Sequence, residues 1–316
     1  MSTINDIMLQ ALQNATSKLN EEANLLIKKF ILSQLHKEGG FTDRNNKPDL
    51  YYSVFGYSLS YIYNIGIDTE NQLAFLKKQQ NKNLDLVHAV SLIRCFLLIE
   101  AIRLKQSSKL ASLFSGFKNL KNTTLQKIIV KAKKECALSF DIIQNYISLK
   151  EKNSFGKNKN PETIYDDFLV WSLMQDIDAE AFKITEKLYT YRLPDGSFVN
   201  ELSSTSGVTT TTAAGLIMSI EKDNKSGQKT IDWLISRMDK YGGFSAAENI
   251  PLADVLSTAT ALTSLKIAGV NMKQFAQSAD FINLHWDTSG GFFGSIADMH
   301  PDIEYTFYAL LTLGMI

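Results

Sequence analysis

Carboxylate side chains stand at the predicted starts of several apolar helices, where they could donate or accept protons. Asp254 and Asp302 each lie ten positions after a phenylalanine and directly before an apolar run, and Glu304 and Tyr305 follow Asp302. Carboxyl and phenol groups can serve as general acids or bases. We therefore predict that the catalytic residues are Asp254, Asp302, Glu304 and Tyr305.

Acidic and aromatic side chains recur at other predicted helix starts and in nearby segments. If those helices stand side by side in a ring, their first turns would form the acidic rim of an apolar, aromatic cavity. Aromatic faces stabilise cations, so the cavity would suit carbocation chemistry or a ligand that carries an ammonium group. The predicted substrate-binding residues are Asp49, Tyr52, His88, Asp167, Trp171, Trp286 and Tyr308.

Structural roles for the same residues stay open at this point. An Asp at a helix start commonly caps the free N–H groups of the first turn, and a nearby Tyr commonly packs in the core. His88 lies one turn after Asp85, which could orient it as a base, or it is a core histidine. His285 and His300 offer, together with Asp302, an alternative site for a divalent metal ion.

Composition excludes several classes of protein. The chain has 316 residues, of which 45% are hydrophobic, and its 33 basic and 33 acidic side chains cancel. The apolar fraction excludes a disordered chain, and zero net charge argues against a nucleic-acid partner. Two cysteines are too few for a disulfide framework or a cysteine-rich zinc site. We see no signal peptide and no stretch long enough to span a membrane, and we expect a cytoplasmic protein.

A Gly-Gly-Phe turn repeats along the chain at residues 39–41, 242–244 and 290–292, with a Gly-Ser-Phe variant at 196–198. An amphipathic segment precedes each turn, and a polar loop and an apolar segment follow it. Each unit therefore predicts an outer helix, a turn, a loop and an inner helix, in one domain that spans residues 1–316. We predict six or seven such hairpins, although the repeat phase of residues 105–160 is unassigned and residues 151–161 are expected to form an inter-helix loop.

The repeat resembles that of the prenyltransferase β subunits and the squalene and terpenoid cyclases. The clearest copies lie at residues 24–66, 181–220, 228–270 and 272–316, where turn, spacing and an inner-helix start recur together. The resemblance implies an all-α fold, the α/α toroid, in which inner helices surround a cavity that holds an isoprenoid. It also implies that an α-type helical subunit could be a partner.

The chain departs from the catalytic residues that this resemblance implies. Zinc-dependent prenyltransferases bind the metal with an Asp, a Cys two residues later and a His on the last inner helix, and the matching positions here are Asp254, Leu256 and Tyr305. One ligand of three cannot hold a tetrahedral zinc, so we predict no zinc and no other cofactor. The cyclase motif Asp-x-Asp-Asp-Thr-Ala is also incomplete, because Leu256 and Ser257 replace its two central carboxylates.

Three functional hypotheses follow. The first is an enzyme of this superfamily that acts on an isoprenoid or a similar hydrophobic substrate with non-standard catalytic residues, and we favour it because acidic and aromatic residues are retained at the repeat mouths. The second is a zinc-free β-like subunit that needs a helical partner. The third is a lipid- or terpenoid-binding protein without catalytic activity.

Overall fold

Helices dominate the computed structural model, which describes residues 3–107, 122–151, 163–223 and 227–316. Short antiparallel strand pairs join β1 (Phe41–Thr42) to β2 (Pro48–Asp49) and β3 (Phe244–Ser245) to β4 (Ala253–Asp254). The α-helices of the described residues are α1 (Ile4–Lys18), α2 (Glu21–Ser33), α3 (Leu50–Ile62), α4 (Thr69–Gln80), α5 (Leu86–Ser107), α6 (Asn122–Glu135), α7 (Ala137–Glu151), α8 (Ile164–Ile177), α9 (Thr209–Asp223), α10 (Gln228–Ile235), α11 (Val255–Ile267), α12 (Ser278–Asn283) and α13 (Ile303–Met315).

Six of these helices form a closed inner ring. The order around the ring is α3, α5, α8, α9, α11 and α13, and α13 returns to pack on α3. The outer layer comprises α2, α4, α6 with α7, a segment of short 3-10 helices (Ala179–Ala181 and Glu186–Tyr191), α10, and α12. The prediction of an all-α toroid is confirmed, and the described residues contain six hairpins. Most of the predicted loop at residues 151–161 lies outside the described residues.

One hydrogen bond recurs where each Gly-x-Phe turn meets its inner helix. The buried N–H group of Phe292 donates to Thr306 Oγ1 at 3.0 Å, and the Thr306 hydroxyl donates in turn to the carbonyl of Asp302 at 2.7 Å. Three other repeats make the equivalent bond, because Phe41, Phe198 and Phe244 donate to Ser53, Thr212 and Thr258. The hydroxyl therefore satisfies a buried backbone donor and attaches the Gly-x-Phe segment to the start of the inner helix.

The last repeat closes the outer ring onto the first. Gly290 has a φ of 94°, and a Cβ atom there would overlap the backbone carbonyl of Leu26 in α2. Its neighbour Gly291 lies against the ring of Phe30 in the same helix. Only glycine combines this left-handed conformation with so close an approach, so the last turn is fitted to the first outer helix.

Helix α1 is an additional element that the repeat pattern did not predict. It packs along α13 and also contacts α3 and α8, all of them inner helices. Its contacts lie at their C-terminal ends, because Lys18 Nζ donates to the carbonyl of Leu313 at 3.0 Å and the backbone N–H of Ile4 donates to Gln175 Oε1 at 3.3 Å. Helix α1 therefore crosses the end of the ring at which the inner helices finish.

Among the residues that the structure describes, no helix is both long and apolar enough to cross a membrane.

The fit of α1 against α13 gives a testable prediction about ring stability. Gly314 lies so close to α1 that a Cβ atom would overlap the carbonyl oxygen of Ala11, whereas a Cβ atom at Gly66 would meet open space. We expect Gly314→Ala to lower the free energy of unfolding by about 1–3 kcal/mol, because overpacking outweighs the better helix propensity of Ala. Thermal unfolding measures the effect, and the control Gly66→Ala should stay within about 0.5 kcal/mol of the unaltered protein. Equal stability of the two variants would contradict this packing.

Candidate active site

The inner ring encloses a cavity of about 540 Å³. This volume lies within the range of small-molecule sites in proteins, which is about 300–1,000 Å³. Aliphatic and aromatic side chains predominate in its wall, and the aromatic ones are Tyr51, Phe55, Tyr165, Phe168, Phe307 and Tyr308. The site therefore suits a ligand that is mainly apolar and that benefits from aromatic faces.

The cavity-lining residues follow one rule along the inner helices. Counted from the residue at the cap position of each inner helix, most wall residues of that helix lie two, five, six or nine positions later, a spacing that marks one helical face. Ala259 and Glu304 share this spacing but are not among the residues that line the cavity. In α13 the cap is Asp302, and Phe307, Tyr308 and Leu311 line the cavity. The residues two positions after the caps of the other inner helices also line it, and they are Tyr51, Val87, Tyr165, Thr210 and Leu256.

Glu304 occupies the equivalent position in α13 and reaches the cavity only through Tyr51, which lines the wall where Glu304 does not. The Tyr51 hydroxyl donates a hydrogen bond of 2.6 Å to Glu304 Oε1, which joins the first turns of α3 and α13. Glu304 is only 9% exposed, and burial raises the pKa of its carboxyl group to about 7, with the nearby charges of Asp302 and Asp49 acting in the same direction. The hydrogen bond from Tyr51 and the charge of Arg44 partly oppose this shift.

The Glu304–Tyr51 pair can carry protons between the buried carboxyl group and the cavity. Burial raises the pKa of the Tyr51 hydroxyl far above its ordinary value, so Tyr51 remains protonated while Glu304 gains or loses a proton near neutral pH. Tyr51 lines the cavity together with Tyr165 and Tyr308, whose pKa values are also raised by burial. A carboxyl group with a near-neutral pKa beside a pocket is typical of general acids and bases.

The predicted catalytic residues Asp254 and Asp302 cap inner helices. Asp254 accepts hydrogen bonds from the backbone N–H and the hydroxyl of Ser257, both at 2.7 Å. Asp302 accepts from the backbone N–H of Tyr305 at 2.8 Å and pairs with Arg44 Nε at 2.8 Å. Burial raises the pKa of both carboxyl groups, but these contacts engage them in holding the rim together. Among the described residues that line the cavity, neither aspartate is included.

Asp49 and His88 meet at the rim of the ring. Asp49 caps α3 by accepting from the backbone N–H of Tyr52 at 3.0 Å. His88 Nδ1 lies 2.7 Å from Asp85 Oδ1, and its Nε2 lies 3.6 Å from Asp49 Oδ2. The predicted Asp85–His88 pair is therefore present, and it links α5 to the first turn of α3 outside the cavity wall.

Most other residues predicted to bind substrate point elsewhere. Tyr308 lines the cavity, whereas Trp171 and Trp286, which were also expected in the wall, are not among the residues that line it. Trp171 packs beside Phe168, and Trp286 meets the ring of Phe292 edge to face at 5.0 Å. An inner helix is apolar on nearly every side, so its sequence does not reveal which face borders the cavity. Asp167 forms an ion pair with Lys150 and accepts a hydrogen bond from Tyr146. The ring of Tyr305 packs under the guanidinium group of Arg44. Tyr52 lies beside Tyr51.

The residues present do not fit the zinc site that the fold family implies. Both carboxylate oxygens of Asp254 are engaged by Ser257, Leu256 presents an apolar side chain to the cavity, and Tyr305 packs against Gly294. In the described part of the chain, no three His, Cys, Asp or Glu side chains form a group that could hold a metal ion.

The alternative metal site is likewise not assembled. His285 is buried between the rings of Phe281 and Phe293, and its Nδ1 lies 2.8 Å from the carbonyl of Phe281. His300 is exposed and lies beside Asp298, while Asp302 is engaged by Arg44. The three predicted ligands therefore do not converge on one point.

The sequence analysis missed Arg94 and the first turns of α1 as parts of the cavity, and it selected Tyr52 instead of the neighbouring Tyr51 for binding. The fixed offset from the cap position identifies Tyr51, because it stands two residues after Asp49. The offset of nine positions from the cap likewise identifies Arg94 as a wall residue, because it stands nine residues after Asp85. The repeat pattern does not include α1, which precedes the first copy at residues 24–66.

Comparison with known proteins identifies the repeat. Residues 8–114 and 177–316 match the family described as the prenyltransferase alpha-alpha toroid domain. Among solved structures, the chain is similar to a Candida albicans protein geranylgeranyltransferase-I complexed with GGPP, with 16% identity, a TM-score of 0.38, and coverage of 99% of this chain and 83% of that one. A search of curated protein sequences gave no match.

The raised pKa of Glu304 predicts a distinct pH dependence of stability. Because the folded pKa of about 7 exceeds the ordinary value of 4.5, the protonated carboxyl favours folding below pH 4.5, and this contribution is lost as the pH rises to 7. Glu304→Gln, which still accepts from Tyr51, should therefore gain stability relative to the unaltered protein across this window, by at most about 3 kcal/mol. Urea unfolding at a series of pH values measures the difference.

A matched control is Glu38→Gln, because Glu38 is exposed on the surface. Its unfolding curve should follow that of the unaltered protein at every pH. A constant difference between Glu304→Gln and the unaltered protein from pH 4.5 to 8 would contradict the proposed burial of the carboxyl group.

Proposed function

The chain belongs to the prenyltransferase α/α toroid family, and from this premise we propose that it binds an isoprenoid in its central cavity and acts on it by acid–base catalysis. The proposed catalytic pair is Glu304 and Tyr51. The proposed substrate class is that of the superfamily. Glu304 and Tyr51 would act in place of the zinc-bound thiolate of the prenyltransferases and the central carboxylates of the cyclases. Of the four catalytic residues expected from the sequence, Glu304 alone keeps a catalytic role. Asp254 and Asp302 instead cap inner helices at the rim.

The 2.6 Å hydrogen bond between Tyr51 and Glu304 carries the proposal. A protonated Glu304 can donate to the Tyr51 oxygen while the Tyr51 hydroxyl proton passes to the substrate. In reverse, the Tyr51 oxygen accepts a proton from a C–H bond next to a cationic carbon, an alkene forms, and the original hydroxyl proton moves to Glu304. Both directions balance protons, and a carboxyl pKa of about 7 allows both near neutral pH.

The surrounding wall supports a substrate with cationic character in its transition state. Phe55 contacts both Phe307 and Tyr308, with ring centroids 5.1 and 5.5 Å away, so three aromatic rings from α3 and α13 lie close to the acid–base pair. Ring faces attract positive charge by their quadrupole, and the attraction is stronger where water is excluded. The side chains on α9 and α11 are smaller, among them Ala213, Ala214 and Thr260, and leave space in that part of the wall.

We also propose a helical protein partner on the rim. Five exposed apolar side chains lie in the loops between the Phe of the turn and the start of α9, α11 and α13, and they are Leu202, Ile250, Leu252, Ile296 and Met299. These loops belong to three successive repeats, so they share the end of the ring at which the inner helices begin. Several exposed apolar residues on one face favour a protein interface.

Substitution of the acid–base pair tests the catalytic proposal. Prenyl diphosphates and prenyl alcohols of ten, fifteen and twenty carbons are incubated with the full chain, and products are identified by mass spectrometry. We expect Tyr51→Phe and Glu304→Gln to lower turnover by about 100-fold or more while the Kd for the isoprenoid changes little, since both substitutions keep the cavity shape. The control Tyr63→Phe removes a buried hydroxyl of the same type that has no hydrogen-bond partner in the described residues, and it should leave turnover unchanged.

Two outcomes would contradict the catalytic proposal. Full activity of both variants would exclude the pair, and binding by the unaltered protein without conversion would favour the hypothesis of a non-catalytic binding protein. Failure of every isoprenoid to bind would overturn the proposed substrate class.

Co-purification tests the partner proposal. The unaltered chain, purified from its native host, should bring down a helical protein in fixed stoichiometry. Ile250→Asp with Ile296→Asp should abolish this association, because each places a charge in the apolar rim. Val130→Asp, at an exposed position on α6, should retain it. Isolation of the unaltered chain alone would contradict the proposal.

A further inference from the structure

The two ends of the central cavity are built differently. At one end the inner helices begin, and the first layer of the wall, with Tyr51 and Tyr165, lies there. At the other end the inner helices finish against α1. Ile4, Asn5, Met8 and Leu9 line the cavity, and their spacing places them on one face of α1. Helix α1 therefore forms the closed end.

Polar contacts hold the first turn of α1 in place. Arg94 donates to Asn5 Oδ1 at 2.7 Å and to Ser172 Oγ at 2.8 Å, and thereby ties α1 to both α5 and α8. The Asn5 amide also donates to Asp176, near the end of α8. These groups satisfy one another inside a largely apolar cavity, so they are explained as an anchor for α1 rather than as a site for a charged ligand.

Packing on α13 holds the rest of the helix. Leu12 is 1% exposed and Ala15 is fully buried, and Ala11 and Gly314 bring the backbones of the two helices into close contact. Met8 differs from these residues because it is only partly buried and borders the cavity. A change at Met8 therefore alters the depth of the cavity, whereas a change at Leu12 alters only the packing of α1.

We propose that α1 sets the length of the isoprenoid chain that the cavity accepts, with Met8 as the main determinant and Leu9 beside it. The inference rests on the proposed function for its ligand class. A chain that passes Tyr51 runs along the ring wall to Leu311 and ends against Met8. The family match begins only at residue 8, so the anchoring residues of α1 lie ahead of the matched segment.

Binding of prenyl alcohols to full-length variants tests this inference. The Kd values for alcohols of ten, fifteen and twenty carbons are measured by calorimetry for the unaltered chain, Met8→Ala and Met8→Trp. Met8→Ala deepens the cavity and should shift preference towards the longer alcohol, and Met8→Trp should shift it towards the shorter one. The ratio of Kd values between neighbouring lengths should change by about 10-fold or more, as expected for a few methylene groups against an apolar wall.

Two controls separate chain-length selection from a general weakening of α1. Leu12→Ala should lower the thermal midpoint without changing the Kd ratios, and Gln10→Ala, at an exposed position of the same helix, should change neither. Unchanged Kd ratios in both Met8 variants would overturn the inference while leaving the proposed function intact. Absence of binding of every alcohol to the unaltered chain would refute both.

Discussion

The hydrogen bond from the turn phenylalanine to the helix hydroxyl is the interaction on which the ring depends. Each of these phenylalanines is almost completely buried, so its backbone N–H group cannot be satisfied by water. An unsatisfied buried donor costs about 1–3 kcal/mol, and four repeats make the same bond. Because the hydroxyl lies four residues after the cap position, the bond fixes both the start and the rotation of the inner helix.

The rotation of the inner helices determines the chemistry of the cavity. With the hydroxyl facing the turn, most of the residues two, five, six and nine positions after the cap line the cavity. The first of these layers contains Tyr51, Tyr165 and Leu256 and places Glu304 beside Tyr51. A carboxyl group in this layer is held between helices and is removed from water, which explains its raised pKa. The same constraint that builds the fold thus positions the proposed acid–base pair.

Local sequence predicted the ring, because its signals are local. The glycine turns, the capping aspartates and the apolar inner segments recur at fixed spacing, and the resulting toroid is confirmed. The wall of the cavity depends on helix rotation, which an all-round apolar helix does not display, so Tyr52 was selected where Tyr51 lines the cavity. The ion pair of Asp167 could not be predicted for a different reason: its partner Lys150 lies on α7, and nothing in either segment indicates that pairing.

A structure with bound ligand tests the central claim most directly. We expect a crystal of the full chain with a saturating prenyl alcohol to show continuous density inside the inner ring, with the oxygen end near Tyr51 and the hydrocarbon end at Met8 of an undisplaced α1. Density on the outer surface, or a ring cavity that stays free of the alcohol, would contradict the account.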